Sequence, residues 1–186
     1  MRLFIALDID RGALEGIRPV LELLSNHPSI FKIVEPGTFH ITLKFLGECS
    51  IGLAGDLARG FTSLEGFGEA IKYELRGLGV FPDLHRAQVI WCGIESDESR
   101  MGDIFNHIER FAGEYEFPPE KRSFQPHLTL ARVRRGMAVT SQILDFLREH
   151  SATDYGQSGF RHITLYSSKL SPQGPFYEVL GRISLP

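Results

Sequence analysis

Three copies of one tetrapeptide place histidine and threonine at the same spacing in this chain. His40-Ile41-Thr42-Leu43 recurs as His127-Leu128-Thr129-Leu130 and as His162-Ile163-Thr164-Leu165. On a β-strand, residues i and i+2 point to the same face, so each copy would present an imidazole and a hydroxyl side by side. One such tetrapeptide usually marks only a half-buried strand, whereas its repetition in matching positions favours a shared chemical role.

Two copies facing each other across a cleft would suit the chemistry of a phosphate ester. A neutral imidazole can take a proton from water and a protonated one can give a proton to the leaving oxygen, since histidine titrates near neutral pH. Threonine hydroxyls can donate to the non-bridging phosphate oxygens, where charge develops. This chemistry requires no metal. Spacing alone lets any two copies pair, and the second and third are near enough in the chain to lie on neighbouring strands.

Five basic residues lie within fifteen positions around the second copy, namely Lys121, Arg122, Arg132, Arg134 and Arg135. Such a cluster can receive the phosphates of an RNA end. It can equally be a solvated loop and strand edge. Strict alternation along a strand points Arg132 away from the histidine, unless a bulge or a twist brings it back.

Aromatic residues also lie near the motifs. Phe39, Phe45, Phe124 and Tyr166 could stack on a nucleobase, although residues of this kind more commonly belong to the core. The candidate contacts to RNA beside the histidines are Arg132, Arg122 and Tyr166.

The segments that would position these motifs alternate between strand and helix patterns. Strands are predicted at residues 3–9, 31–35, 39–46, 70–78, 89–94, 124–133, 160–166 and 177–183. Helices are predicted at residues 11–26, 51–64 and 141–149, and a further one follows a cap at Ser96 or Asp97. Pro19 requires the first helix to kink or to begin late. Each half contains a strand, a helix and a strand carrying the motif, which indicates an α+β fold with two pseudo-equivalent lobes.

Composition narrows the class of protein. With 186 residues, 42% of them hydrophobic, and a net charge of −3, the chain is neither disordered nor fibrous, and it is not suited to coating long nucleic acid. Cys49 and Cys92 are too few for a disulfide framework or a zinc site. We expect a reduced, cytoplasmic setting with neither a signal peptide nor a membrane span. A local basic patch would still be enough to hold the end of a nucleic acid.

The sequence resembles the 2H phosphoesterase superfamily, which is named for two His-x-Thr/Ser-x motifs. Within it, the resemblance is to the RNA 2′,3′-cyclic phosphodiesterases historically called 2′-5′ RNA ligases. The matching segments are residues 2–7 (RLFIAL), 39–47 (FHITLKFLG), 126–132 (PHLTLAR) and 165–170 (LYSSKL), followed by Gly174 and Tyr177. They extend over essentially the whole chain.

The resemblance implies a bilobal α+β fold: two pseudo-symmetric lobes of antiparallel or mixed sheet, flanked by helices, with the active cleft between them. It implies a single domain over residues 1–186 made of two intertwined lobes. It also implies that His40 is the proton donor and His127 the proton acceptor, and that Thr42 and Thr129 bind the phosphate. The family places no catalytic histidine in the third copy, so His162 is expected at the surface or on the cleft wall.

The implied reaction is metal-independent and cofactor-independent hydrolysis of an RNA 2′,3′-cyclic phosphate to a 2′-phosphomonoester, with 2′-5′ ligation as its reverse. Partners would be RNA ends, tRNA fragments among them, and the protein would act as a monomer away from membranes. Three alternatives remain open: a phosphodiesterase for 2′-5′-linked oligonucleotides or small cyclic nucleotides, a non-catalytic RNA-end binding module, and a histidine-based metal site that a chelator would empty.

Overall fold

The computed structural model describes residues 1–171 and 174–186, which form nine strands and four α-helices. The strands are β1 (Arg2–Asp8), β2 (Phe31–Ile33), β3 (His40–Glu48), β4 (Ile71–Phe81), β5 (Val89–Ser96), β6 (His127–Val133), β7 (Asp154–Phe160), β8 (His162–Ser171) and β9 (Gly174–Ser184). The helices are α1 (Arg18–Ser25), α2 (Ile51–Thr62), α3 (Glu98–Glu114) and α4 (Ser141–Glu149). Two short 3₁₀ turns lie at Arg11–Leu14 and Pro36–Thr38. Among the described residues, no helix is both long and apolar enough to cross a membrane.

The strands form two antiparallel sheets. The first has the order β3-β1-β8-β9 and the second the order β2-β6-β5-β4-β7. Strands from both ends of the chain build the first sheet, and the middle of the chain with the short β2 builds the second. The order β3-β1-β8-β9 matches β6-β5-β4-β7, in which β3 and β6 each begin with a motif histidine. The predicted α+β fold with two pseudo-equivalent lobes is confirmed.

Helices cover the sheets and close the core. Helix α2 packs on β9, α3 contacts β3, and α4 packs on β4. In β1, Leu3, Ile5 and Leu7 are completely buried on one face, as strand alternation requires. The predicted cap of α3 is Asp97, whose side chain accepts a hydrogen bond from the Arg100 N–H at 3.1 Å.

Two predicted elements differ from the structure. Residues 11–26 are not one helix: a 3₁₀ turn comes first, and α1 begins only at Arg18, because Pro19 is tolerated in the first turn of a helix and not in its interior. Residues 160–166 are not one strand either, since Phe160 ends β7 and His162 begins β8. Strand β7 escaped prediction because its sequence, DYGQSGF, lacks apolar alternation; it is an edge strand paired only with β4.

A buried ion pair joins β3 to α3. The Lys44 Nζ on β3 lies 2.7 Å and 2.9 Å from the carboxylate oxygens of Glu109 on α3, and it donates to the Pro118 carbonyl at 2.7 Å. Glu109 also accepts from the Glu120 N–H at 3.0 Å. The two charged side chains are only 5% and 15% exposed. The pair therefore ties β3 to the segment of chain that leads into His127.

We predict that Lys44→Met lowers the free energy of unfolding by about 3–5 kcal/mol, because it leaves the Glu109 carboxylate buried without its partner. Chemical denaturation measures this. The matched control is Lys169→Met, which removes an exposed pair with Glu178 and should cost about 1 kcal/mol or less. A Lys44→Met variant no less stable than the control would contradict the prediction.

Candidate active site

The first two motif copies meet where the sheets meet. Strands β3 and β6 belong to different sheets and contact each other, and each begins with a histidine that is half-buried, His40 and His127. The charge of His127 also contributes to lowering the pKa of His40. The structure thus brings together the two histidines predicted from the motifs.

Both imidazole rings are anchored in the same way. The Nδ1 of His40 lies 2.7 Å from the Thr38 carbonyl oxygen, and the Nδ1 of His127 lies 2.8 Å from the Gln125 carbonyl oxygen. A carbonyl only accepts hydrogen bonds, so each Nδ1 carries the proton and donates. In the neutral ring, Nε2 is then the nitrogen with a free lone pair, and in the protonated ring it is the nitrogen with a proton to give.

Aromatic side chains surround each ring. The Phe4 ring lies 4.8 Å and the Tyr177 ring 5.5 Å from His40, between centroids. The Phe81 ring lies 4.9 Å from His127, edge to face, and Trp91 lies 6.3 Å away. These contacts restrict the orientation of both imidazoles and account for their partial removal from water.

A bulge at the last residue of each of these two motifs changes which residues face the site. Leu43 is an extra residue in the pairing of β3 with β1, and Leu130 is an extra residue in the pairing of β6 with β5. Strict alternation therefore fails in both strands. Directly opposed residues share a face of the sheet. In β5, alternate residues lie opposite Arg132, Thr129 and His127, namely Val89, Trp91 and Gly93. Arg132 therefore lies on the same face as His127.

The same displacement occurs in β3. Phe45 pairs with Phe4, Thr42 with Ala6 and His40 with Asp8, so Phe45 shares the face of His40 and its side chain is 67% exposed. Phe45 and Arg132 occupy equivalent positions in the two lobes. The sequence alone allowed Arg132 to point away from the histidine or, with a bulge, toward it. The bulge at Leu130 turns it toward the histidine.

The charges around the two histidines differ. Burial lowers the pKa of His40 below the ordinary 6.5, and the charges of Arg132 and His127 lower it further. The hydrogen bond to Thr38 and the Asp8 carboxylate act in the opposite direction and raise it. Burial also lowers the pKa of His127, opposed by the bond to Gln125 and reinforced by Arg132. Among the groups that shift these pKa values, the Asp8 carboxylate acts on His40 and not on His127. The charge of Arg132 acts on both.

The third motif copy supports the first. Thr164 is completely buried and donates to the Asp8 Oδ2 at 2.9 Å, and the Tyr166 hydroxyl donates to Oδ1 at 2.7 Å. The Arg182 Nη2 lies 3.4 Å from Oδ2, and its Nε donates to the Thr164 hydroxyl at 3.2 Å. Burial first, and then the bond to Asp8, raise the pKa of Tyr166 to about 12. This network holds Asp8, the cross-strand neighbour of His40. The sequence marks Thr164 only as a member of the third copy and gives no signal for its contact with Asp8.

The family of the chain follows from comparison with known proteins. Residues 20–185 match the family described as the AKAP7 2′5′ RNA ligase-like domain. A protein named RNA 2′,3′-cyclic phosphodiesterase from Archaeoglobus fulgidus is 34% identical over 180 residues, covering 97% of this chain and 98% of its own. One of the same name from Aeropyrum pernix is 37% identical over 149 residues, covering 80% and 83%. The chain belongs to the 2′-5′ RNA ligase-like family of 2H phosphoesterases.

Solved structures of this fold agree with the topology. The TT0787 structure from Thermus thermophilus matches with a TM-score of 0.77 and 27% identity, covering 100% of this chain and 98% of the other. The structure of E. coli LigT complexed with 3′-AMP matches with a TM-score of 0.74 and 22% identity, covering 99% and 97%. The predicted 2H phosphoesterase fold is confirmed.

The remaining predicted residues of the 2H site separate into two groups. Thr42, Thr129 and Arg132 share faces with the motif histidines, and Tyr166 lies 6.5 Å from His40 between ring centroids, with its hydroxyl bound to Asp8. Arg122 is exposed in the loop before β6, where its N–H is bound by Glu120.

Other predicted residues near the motifs belong to the hydrophobic core. Phe39 is buried, and Phe124 stacks on Phe105 with centroids 4.7 Å apart. In the third copy, Ile163 and Leu165 are completely buried, while His162 is half-buried at the start of β8.

We predict that Asp8→Asn lowers the pKa of His40 further, because it removes a carboxylate charge that opposes the effect of burial. NMR titration of the ring resonances measures both histidines, and the pKa of His127 should not change. Asp145→Asn, on the surface of α4 beside Arg148, is the control and should alter neither. An unchanged or raised pKa of His40 in Asp8→Asn would contradict the assignment.

Proposed function

We propose that this protein hydrolyses the terminal 2′,3′-cyclic phosphate of RNA to a 2′-phosphomonoester. The observation that carries the proposal is the pair of imidazoles, one from each lobe, each anchored through Nδ1 so that Nε2 is free for proton transfer. The relatives named RNA 2′,3′-cyclic phosphodiesterase support the substrate. The 2′ position of the product phosphate follows from the family resemblance.

In the proposed reaction, the two histidines divide the proton transfers. The Nε2 of neutral His127 takes a proton from water as its oxygen bonds to phosphorus. The bond between phosphorus and the 3′ oxygen breaks, and the Nε2 of protonated His40 gives its proton to that oxygen. Proton exchange with water then restores both rings. Replacing water by the 5′ hydroxyl of a second RNA would give a 2′-5′ linkage, so ligation is the proposed side reaction.

The neighbouring charges favour this division of roles. An imidazolium is stabilised by a nearby carboxylate, and Asp8 acts on His40 in this way, as suits a proton donor. Arg132 lowers the pKa of both rings, but the groups that shift the pKa of His127 include no carboxylate to oppose it, as suits a proton acceptor. The guanidinium of Arg132 and the hydroxyls of Thr42 and Thr129 would bind the non-bridging oxygens. Every one of these groups comes from one chain, so the proposed reaction needs no residue from a second copy.

We predict that His40→Ala and His127→Ala each lower kcat by about 10²–10⁴-fold on an oligoribonucleotide ending in a 2′,3′-cyclic phosphate, the usual contribution of one proton-transfer group. Binding of the same RNA with an unreactive 3′-phosphate should fall only a few-fold. The control is His162→Ala, from the third copy, which should keep activity within about two-fold. Rates are followed by separating the cyclic phosphate from its opened product.

The same assay separates the alternatives. An RNA-end binding module would be favoured if turnover and binding fell together in the two histidine variants. It would also be favoured if the unmodified protein showed no turnover. Faster cleavage of 2′-5′-linked oligonucleotides or of a small cyclic nucleotide would change the substrate assignment. Activity that a chelator abolishes would contradict the two-histidine mechanism.

A further inference from the structure

A cleft beside the candidate active site has no role in the proposed reaction. It lies between the loop that joins β4 to β5 and the loop that follows β6, and its volume is about 560 Å³, within the range of about 300–1,000 Å³ typical of ligand sites. Arg132 lines it at the active-site end, and Arg135 and Met137 line it beyond the end of β6. We refer to it as the β6 cleft.

The lining of the β6 cleft is strongly basic. Arg86, Arg132, Arg134 and Arg135 all line it, and none of its lining residues is acidic. Arg86 is paired with Asp83 at 2.9 Å, and the Arg134 Nε donates to a backbone carbonyl at 2.8 Å. Within residues 1–171 and 174–186, no carboxylate lies within 4.0 Å of Arg132, Arg134 or Arg135. The cleft therefore concentrates positive charge in a chain whose net charge is −3.

The β6 cleft is continuous with the candidate active site through one side chain. The register of β6 with β5 places Arg132 on the same face as His127 and Thr129, where the reacting phosphate would bind. The charge of Arg132 also lowers the pKa of both His40 and His127. The same residue lines the cleft. A ligand bound between the histidines can thus extend into the cleft without leaving a basic surface.

The kind of group that would bind there follows from the lining. The side chains are arginines with Ala87, Gln88, Val89, Val133 and Met137, and none of the described residues that line the cleft is aromatic. Nucleobases are commonly held by stacking on aromatic rings. The planar guanidinium forms paired hydrogen bonds to phosphate oxygens. Contacts of this kind fix the position of a nucleic acid without reading its sequence.

We propose that the β6 cleft binds the backbone phosphates of the nucleotides that precede the reacting end, so that this protein acts on polynucleotide ends in preference to free cyclic mononucleotides. The inference rests on the proposed function, since it takes the reacting phosphate to lie between His40 and His127. It adds Arg86, Arg134 and Arg135 to the substrate contacts. Lys121 and Arg122, which the sequence groups with them, do not line the cleft.

The test compares two substrates, a nucleoside 2′,3′-cyclic phosphate and an oligoribonucleotide that ends in the same group. Arg135→Gln should lower kcat/KM for the oligoribonucleotide by about five- to ten-fold and leave that for the mononucleotide within about two-fold. The slope of log kcat/KM against log salt for the oligoribonucleotide should become shallower by about one. Arg86→Gln combined with Arg135→Gln should extend both effects.

The control is Arg59→Gln, which removes a charge from α2, a helix that packs on β9 of the other sheet; it should leave both substrates unaffected. Equal losses on both substrates, or no loss on the oligoribonucleotide, would overturn the proposal. If the unmodified protein hydrolyses neither substrate, the proposed function fails by itself. The cleft is then tested by fluorescence anisotropy with a 3′-phosphorylated oligoribonucleotide: weaker binding by Arg135→Gln supports it, and unchanged binding overturns it.

Discussion

The hydrogen bond from each imidazole to the carbonyl two residues before it is the interaction on which the site depends. It fixes the proton on Nδ1 and leaves Nε2 for the substrate in both lobes. The surrounding fold serves this arrangement. Each histidine begins its strand, aromatic rings pack against both imidazoles, and the buried contact of Lys44 with Glu109 and Pro118 ties β3 to the segment before β6.

The two lobes are pseudo-symmetric in their strands and motifs but differ in the charged side chains around the two histidines. Equivalent strands carry equivalent motifs and equivalent bulges, but Asp8 lies opposite His40 whereas Gly93 lies opposite His127. The bulges bring Phe45 to the face of one histidine and Arg132 to the face of the other. A symmetric framework thus supplies two imidazoles, and a few side chains outside the motifs make their environments different. Such a difference suits a reaction that needs one proton donor and one proton acceptor.

The sequence predicts the parts of the site that follow strand periodicity. The two motifs, their strands and the α+β class are visible in spacing alone, and the family resemblance selects which two copies pair. The orientation of Arg132 depends on a bulge at Leu130, and alternation cannot locate a bulge. The pairing of Lys44 with Glu109 joins residues 65 positions apart, and such contacts have no local signal. Strand β7 forms because β4 offers it an edge, against its own weak propensity.

The most direct test of the account is the tautomeric state of the two histidines, measured by long-range ¹H–¹⁵N NMR of the ¹⁵N-histidine-labelled protein above the pKa of both rings. The account predicts that His40 and His127 both carry the proton on Nδ1. It also predicts that a nucleoside 2′-phosphate shifts both Nε2 resonances with the same midpoint. A proton on Nε2 of either free ring, or a product that perturbs one ring alone, would contradict it.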